Sequence, residues 1–189
     1  MTYALIAPPV AEPVTLAEVK AHLRLDGDDE DVLLGALVKV AREHLERCTG
    51  LLMLSQAWRL YLDDWPVDGV IRIARGPVQS VETVVVYDEG GAAVDVPLDG
   101  HVLDGGGRPA RLVLNQCVKT ARAVNGIEID FVAGFGDAAV EVPDTLRRAM
   151  LLHVAHMFAY RGVVPPDSQP ASVPAGYELL VAPYLLRRL

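Results

Sequence analysis

The stretch PVTLAEVKAHLRLD, residues 13–26, contains the clearest helix start in this chain of 189 residues. Thr15 and Glu18 have the spacing of a capping box, in which a hydroxyl and a carboxylate each bind a free backbone N–H group. Apolar residues then recur at helical spacing, at Leu16, Val19 and Leu23. We therefore expect a first helix that ends near Arg24, and a fold that begins with helices.

An acidic run at residues 26–31 breaks this helix and opens a second one, from about Asp28 to Thr49. Gly50 is a natural stop for it. The apolar positions of the second helix form one stripe, made of Leu33, Leu34, Leu37, Val40, Ala41, His44, Leu45 and Cys48. The two helices should form an antiparallel hairpin with one apolar seam.

From Leu54 the hydrophobic period changes to two residues, which is the period of a β-strand. Alternating stretches occur at 58–62, 71–73, 81–87, 93–96, 110–114 and 127–131, with a short strand at His101. They predict a small antiparallel sheet or sandwich of about six or seven strands. Helical spacing returns after Pro143 and continues to Arg161.

The predicted fold class is therefore α+β. A helical core, consisting of the helix hairpin and a third long helix, carries an inserted antiparallel β-sheet or sandwich. We assign residues 1–53 and 137–162 to the helical core and 54–136 to the inserted β domain. Residues 163–176 are a Pro-rich linker, and residues 177–189 form a short C-terminal helix, which we call the arm.

No residue pattern indicates a catalytic, metal or cofactor site. His153 and His156 lie three residues apart, but His153 is on the apolar stripe of its helix and should be a core histidine. Residues 26–31 lack the glycine and the distal glutamate of a calcium loop. Residues 105–107 and 134–136 fit turns better than phosphate-binding loops.

Two further groups of residues have an ordinary structural explanation. Asp63, Asp64 and Asp130 are typical of strand ends rather than of a catalytic carboxylate pair. Cys48 and Cys117 lie far apart and have no CxxC partner, so we expect buried free thiols. The sequence gives no reason to expect an enzyme.

Charge and hydropathy restrict the partners. The chain has 25 acidic and 17 basic residues, for a net charge of −8. This balance opposes tight binding to nucleic acid, but an acidic wall would let DNA slide past. The apolar runs are shorter than the ~18 residues of a membrane helix, so no membrane partner is expected and the bacterial cytoplasm is the default site of synthesis. The arm is apolar and too short to be stable alone, so it either folds back on its own core or docks on a partner.

Four stretches, in order, resemble the head-to-tail connector (adaptor) proteins of tailed phages, in particular the longer members with an inserted sheet. They are residues 13–26, residues 49–52 with 56–60, residues 129–137 (IDFVAGFGD) and residues 143–156 (PDTLRRAMLLHVAH). Their combined order and spacing carry the likeness, which covers residues 13–161. Residues 162–189 resemble the family only loosely.

The resemblance implies a structural virion protein in the neck, at the junction of head and tail. It implies a ring of about twelve copies that encloses the DNA channel without sequence-specific binding. Its partners would be the portal protein and a tail-side neck or stopper protein. The candidate portal contact is the arm, through Tyr177, Leu180, Tyr184, Leu185, Arg187, Arg188 and Leu189.

Two alternatives remain open. A tail-terminator or tail-completion protein is one, although such proteins more often lack the leading helical hairpin. A small ligand-binding or enzymatic α+β domain is the other, and it would require a pocket with convergent polar groups and a perturbed ionisable residue.

Overall fold

The computed structural model describes residues 1–88, 90–120, 122–160 and 173–185. The chain divides into two compact units. The helical unit consists of Val10–Leu54 and Gly136–Leu189, and the β unit consists of Met1–Pro9 and Ser55–Phe135. The predicted α+β fold class is confirmed.

The helical unit is built around its third helix. The helices are α1 (Leu16–Leu23), α2 (Asp31–Thr49), α3 (Asp144–Ala159) and α4 (Tyr177–Val181), with 3-10 turns at Ala139–Glu141 and Ala182–Tyr184. Helix α3 packs against each of the other three. The side chains between them that are fully buried include Val19, Leu34, Leu45, Leu146, Met150 and Val154. Each such side chain contributes about 1.5–3 kcal/mol by leaving water.

Helix α1 begins with the predicted capping box. The Glu18 backbone N–H donates to Thr15 Oγ1 at 3.2 Å, and the Thr15 N–H donates to Glu18 Oε2 at 2.7 Å. The helix ends at Arg24, whose left-handed backbone (φ 57°) reverses the chain. Helix α2 begins at Asp31, three residues later than predicted, because Asp28 belongs to the turn before it.

A buried ion-pair triad joins α2 to the segments on either side of the hairpin. Arg42 is 4% exposed; its Nε donates to Glu12 Oε2 at 2.7 Å and its Nη1 donates to Glu46 Oε2 at 3.0 Å. Glu46 also accepts from the Met53 backbone N–H at 2.9 Å. Burial by itself lowers the pKa of Arg42, but the carboxylates of Glu12 and Glu46 outweigh it and hold that pKa above its ordinary value. We call these three charged residues the Arg42 clamp.

The β unit contains two antiparallel sheets. Its strands are β1 (Thr2–Ala7), β2 (Gln56–Leu62), β3 (Ile71–Ile73), β4 (Val78–Tyr87), β5 (Ala93–Asp95), β6 (Val102–Asp104), β7 (Ala110–Val113) and β8 (Ile127–Ala133). The larger sheet has the order β1-β2-β8-β4-β5, and the smaller has the order β3-β7-β6. Every strand predicted between residues 54 and 136 is present.

The two faces of the larger sheet differ because side chains alternate along each strand. On one face Leu60, Ile129 and Val84 lie side by side in register and are buried. On the other face Arg59 makes ion pairs with Glu128 at 2.7 Å and Asp130 at 2.6 Å. The pattern of apolar and charged residues therefore sets the strand register.

Gly105 permits a close approach between two backbones. Its carbonyl accepts from the Val78 N–H at 3.0 Å, and a Cβ at this position would lie 2.0 Å from the Val78 carbonyl oxygen. Only glycine can join the β6–β7 turn to the start of β4 in this way. This contact explains one glycine of the 105–107 run as a structural requirement.

The N-terminal nine residues depart from the prediction, which assigned them to the helical core. Residues 2–7 form β1, which pairs antiparallel with β2 from Thr2↔Tyr61 to Ala7↔Ala57. The stretch is short and charge-free, and its partner strand lies more than fifty residues away in sequence, so no local periodicity indicated the pairing.

The prediction of buried cysteines is wrong. Cys48 and Cys117 are free thiols, as expected, but both are exposed. At the C-terminal end of α2 the buried positions are taken by Leu45, Glu46 and Thr49, so Cys48 faces away from the core.

The Arg42 clamp predicts a large effect of one substitution. Arg42→Met leaves the Glu46 carboxylate buried without its cation, and it should lower the free energy of unfolding by about 3–5 kcal/mol. Lys39→Met, which removes the exposed pair with Glu43 on the same helix, should change it by less than about 1 kcal/mol. Urea denaturation followed by circular dichroism measures both. If the two substitutions lowered the free energy of unfolding equally, the Arg42 clamp would not stabilise the helical unit.

Candidate assembly surfaces

Of the two histidines considered as metal ligands, one lies in a packed aromatic cluster. The His153 side chain is buried, 2% exposed, with its ring 4.9 Å from that of His44 and 5.6 Å from that of Tyr177. His156 packs against Tyr160 instead. In the described part of the chain, no three histidine, cysteine or acidic side chains are grouped so that they could hold a metal ion.

The aspartates considered as catalytic carboxylates make structural bonds. Asp130 accepts from Arg59 Nε at 2.6 Å and Nη2 at 2.8 Å. Asp63 accepts from the Asn125 backbone N–H at 2.9 Å, and Asp64 accepts from the Trp65 N–H at 2.8 Å. These contacts tie loops and strands together, and they bring no two of the three carboxylates into a shared site.

The acidic turn before α2 is partly neutralised by a lysine. Lys20 Nζ lies 2.7 Å from Asp28 and 2.8 Å from Asp31. Its ammonium group, through a hydrogen bond, lowers the pKa of the Asp28 carboxyl. Lys20 therefore occupies the position between carboxylates that a cation would need, while Asp26 and Asp29 remain exposed.

The described part of the arm has one buried face and one exposed face. Tyr177 is 3% exposed and Val181 is 2% exposed, and α4 packs on α3. Burial raises the pKa of the Tyr177 hydroxyl above its ordinary value. Leu179, by contrast, is 81% exposed and Leu185 is 42% exposed.

The residues of the candidate portal contact thus differ in how far they are exposed to solvent. Tyr177 packs inside the helical unit, Leu180 and Tyr184 are half-buried, and Leu185 is exposed. Arg187, Arg188 and Leu189 lie outside the described residues. Of the two alternatives for the arm, the described residues 177–185 fold back on their own unit, and they still present apolar side chains outward.

A groove of about 310 Å³ runs beside α2. It is lined by Ala11, Glu12, Val14, Thr15, Leu16, Gly35 and Val38. The Glu12 carboxylate in its wall is bound by Arg42, so the free part of the lining is mainly apolar. We call it the α2 groove.

Gly35 opens this groove from the second turn of α2. A Cβ built on Gly35 would meet no atom of the described residues within 4 Å. Glycine inside a helix is unfavourable compared with alanine, and the packing of this unit does not require it there. An isolated glycine in a helical pattern is the sequence signal that could have identified the groove.

No described helix is both long enough and apolar enough to cross a membrane.

Comparison with known proteins connects this fold to phage and phage-like particles. Residues 13–91 match the family model of the phage gp6-like head-tail connector proteins, which confirms the resemblance predicted from the sequence. No curated protein matches the chain.

Three solved structures contain chains with the same fold. One is the neck of an empty gene transfer agent (GTA) particle computed with C6 symmetry, with a TM-score of 0.82 at 24% identity, covering 100% of this chain and 97% of that chain. The virion of a native gene transfer agent particle gives 0.81 at 24% identity with the same coverage. The neck of a native particle computed with C12 symmetry gives 0.78 at 25% identity, again with 100% and 97% covered.

Tyr177 should hold the arm on its unit. Helix α4 has only five residues and is not stable without tertiary contacts. Tyr177→Ala should therefore raise the amide hydrogen exchange of residues 178–181 to nearly the rate of an unfolded peptide. Tyr177→Phe should keep the protection, because the buried hydroxyl has no hydrogen-bond partner among the described residues. Retained protection in the alanine variant would contradict this role.

Gly35→Ala should stabilise the protein. Because the new methyl group enters open space, the free energy of unfolding should rise by about 1 kcal/mol through helix propensity alone. Gly50→Ala, at the left-handed end of the same helix (φ 72°), should lower it by about 1–2 kcal/mol. The melting temperatures of the two variants, compared with that of the wild type, measure both changes in stability. A loss of stability in Gly35→Ala would show that the position is not open.

Proposed function

We propose that this chain is a head-tail connector, a structural and non-enzymatic protein of a tailed phage, prophage or gene-transfer-agent-like particle. About twelve copies form a ring in the neck of the virion, between the portal and the tail. The ring lines the channel through which DNA passes. The protein is made in the bacterial cytoplasm and has no membrane-bound stage.

The observation that carries this proposal is the shared fold of the whole chain with chains of gene transfer agent necks. The likeness extends through the helical unit and the β unit alike. The match of residues 13–91 to the connector family includes α1, α2 and the first part of the sheet. A tail-terminator protein without the leading helical hairpin would not account for that match.

The chemistry of the described residues supports a structural role. The carboxylates considered for catalysis are bound by arginine or by backbone N–H groups. The one acidic residue that lines the α2 groove, Glu12, is neutralised by Arg42. A ligand-binding pocket would instead require polar groups that converge on an empty space.

The charge of the chain suits a channel wall. Its net charge of −8 disfavours a stable complex with the phosphate backbone, since tight binding requires clustered lysine and arginine. DNA that has to move through the neck during packaging and ejection should meet a surface that does not retain it.

The arm is the proposed contact with the portal. Tyr177 and Val181 anchor α4 to its own unit, which leaves Leu179, Leu185 and part of Leu180 facing outward. Residues 186–189 extend the arm by two leucines and two arginines. An apolar segment ending in cationic side chains is suited to a groove with an acidic rim on the portal.

The proposal is tested by mixing the purified protein with the portal protein encoded in the same genome and imaging the mixture by electron microscopy. The expected result is a ring seated on the portal. Leu179→Asp should prevent seating, because it places a charge in the contact. Val140→Asp is the matched control, since Val140 is equally exposed (84% against 81%) and lies in the same unit but outside the arm. Failure of the wild-type protein to bind the portal would overturn the proposal.

A further inference from the structure

We propose that the α2 groove is the surface through which neighbouring copies of this chain contact one another in the ring. The inference rests on the proposed connector function and adds to it the side of the subunit that receives the next copy. The occupant of the groove is an apolar helix face of a second copy.

Gly35 leaves a space that the described residues of its own subunit do not fill. None of their atoms lies within 4 Å of the position that a Cβ would take, although Ala11, Val14 and Leu16 also line the groove. A glycine lets a neighbouring helix approach α2 closely. The space has the size of a few apolar side chains, at about 310 Å³.

Exposed apolar side chains continue beyond the groove along α2. Val32 is 90% exposed and Val40 is 48% exposed, and Ala36 lies between them at helical spacing. The exposed charges on this face, Lys39 and Glu43, lie 4.0 Å from each other and largely cancel. Exposed apolar side chains next to an open groove are typical of a protein contact surface.

The two surfaces that we propose to meet are complementary in charge. Helix α2 begins at Asp31, four residues before Gly35, directly after an acidic turn in which Asp26 and Asp29 are exposed. Helix α3 carries an outward row that starts with the exposed Arg148 and continues with the apolar residues Leu152, Ala155 and Ala159. When two copies lie side by side, Arg148 of one copy contacts the acidic turn of the next. The apolar residues of the same α3 then enter the α2 groove of that next copy.

These two faces lie on different helices, so the contact is heterologous. A heterologous contact repeated by a closing rotation produces a ring, whereas a contact of one face with itself would stop at a dimer. Two different contact faces on one subunit are what a rotationally symmetric ring requires.

The test uses the full-length protein on its portal, with a substitution that fills the groove. Gly35→Leu should abolish the ring seen by electron microscopy while the melting temperature stays equal to or above that of the wild type. Gly106→Leu is the control, because Gly106 also faces open space but lies in a loop of the β unit. That variant should form rings as the wild type does.

A photo-crosslinking amino acid at position 32, one helical turn from Gly35, identifies the occupant. The expected product is a covalent dimer of this chain that maps to α3 of the second copy and is lost in the Gly35→Leu background. A crosslink to the portal, to the tail-side protein or within one chain would overturn the inference. Normal rings of Gly35→Leu would overturn it too and leave the connector function standing, whereas absence of rings in the wild type would remove the connector function itself.

Discussion

The helical unit depends on one buried arginine. Arg42 binds Glu12, thirty positions earlier in the chain, and Glu46, one turn later on its own helix, while Glu46 also binds the backbone of Met53. A buried charge is stable only when its partners neutralise it and satisfy its hydrogen bonds. Arg42 thus reaches the segment before α1 directly, through Glu12, and the segment after α2 through Glu46, so this single group links both ends of the hairpin.

The same interaction shapes the surface that we assign to assembly. Arg42 holds Glu12 from the side of α2, and Arg147 of α3 donates to the Pro13 carbonyl at 3.1 Å and also binds Glu18. Side chains of both α2 and α3 therefore bind the segment before α1, which forms one wall of the α2 groove. A rigid wall matters for a ring, because the same rotation between neighbouring subunits is repeated at every interface. Small errors in that rotation would add up and prevent the ring from closing.

The elements that the sequence predicted correctly are those set by interactions between near neighbours in the chain. The capping box at Thr15 and Glu18 located α1, and the period of two located the strands after residue 54, because both signals arise between near neighbours. The Arg42 clamp and the pairing of β1 with β2 were missed, since their partners are distant in the chain. Arg42 and Glu46 lie off the predicted apolar stripe but are buried, and Cys48 lies on it but is exposed, because hydropathy alone does not show which side of a helix meets its neighbours. Among the residues of the candidate portal contact, Tyr177 is buried inside the helical unit. The exposure of Leu179 could not be predicted, because it depends on which side of α4 packs on α3.

The proposed role as a connector between head and tail is tested most directly by deleting the gene from the genome that carries it and counting particles by electron microscopy. The account predicts DNA-filled heads without attached tails, alongside free tails, and recovery of complete particles when the gene is supplied in trans. Complete, tailed particles in the absence of the protein would contradict it.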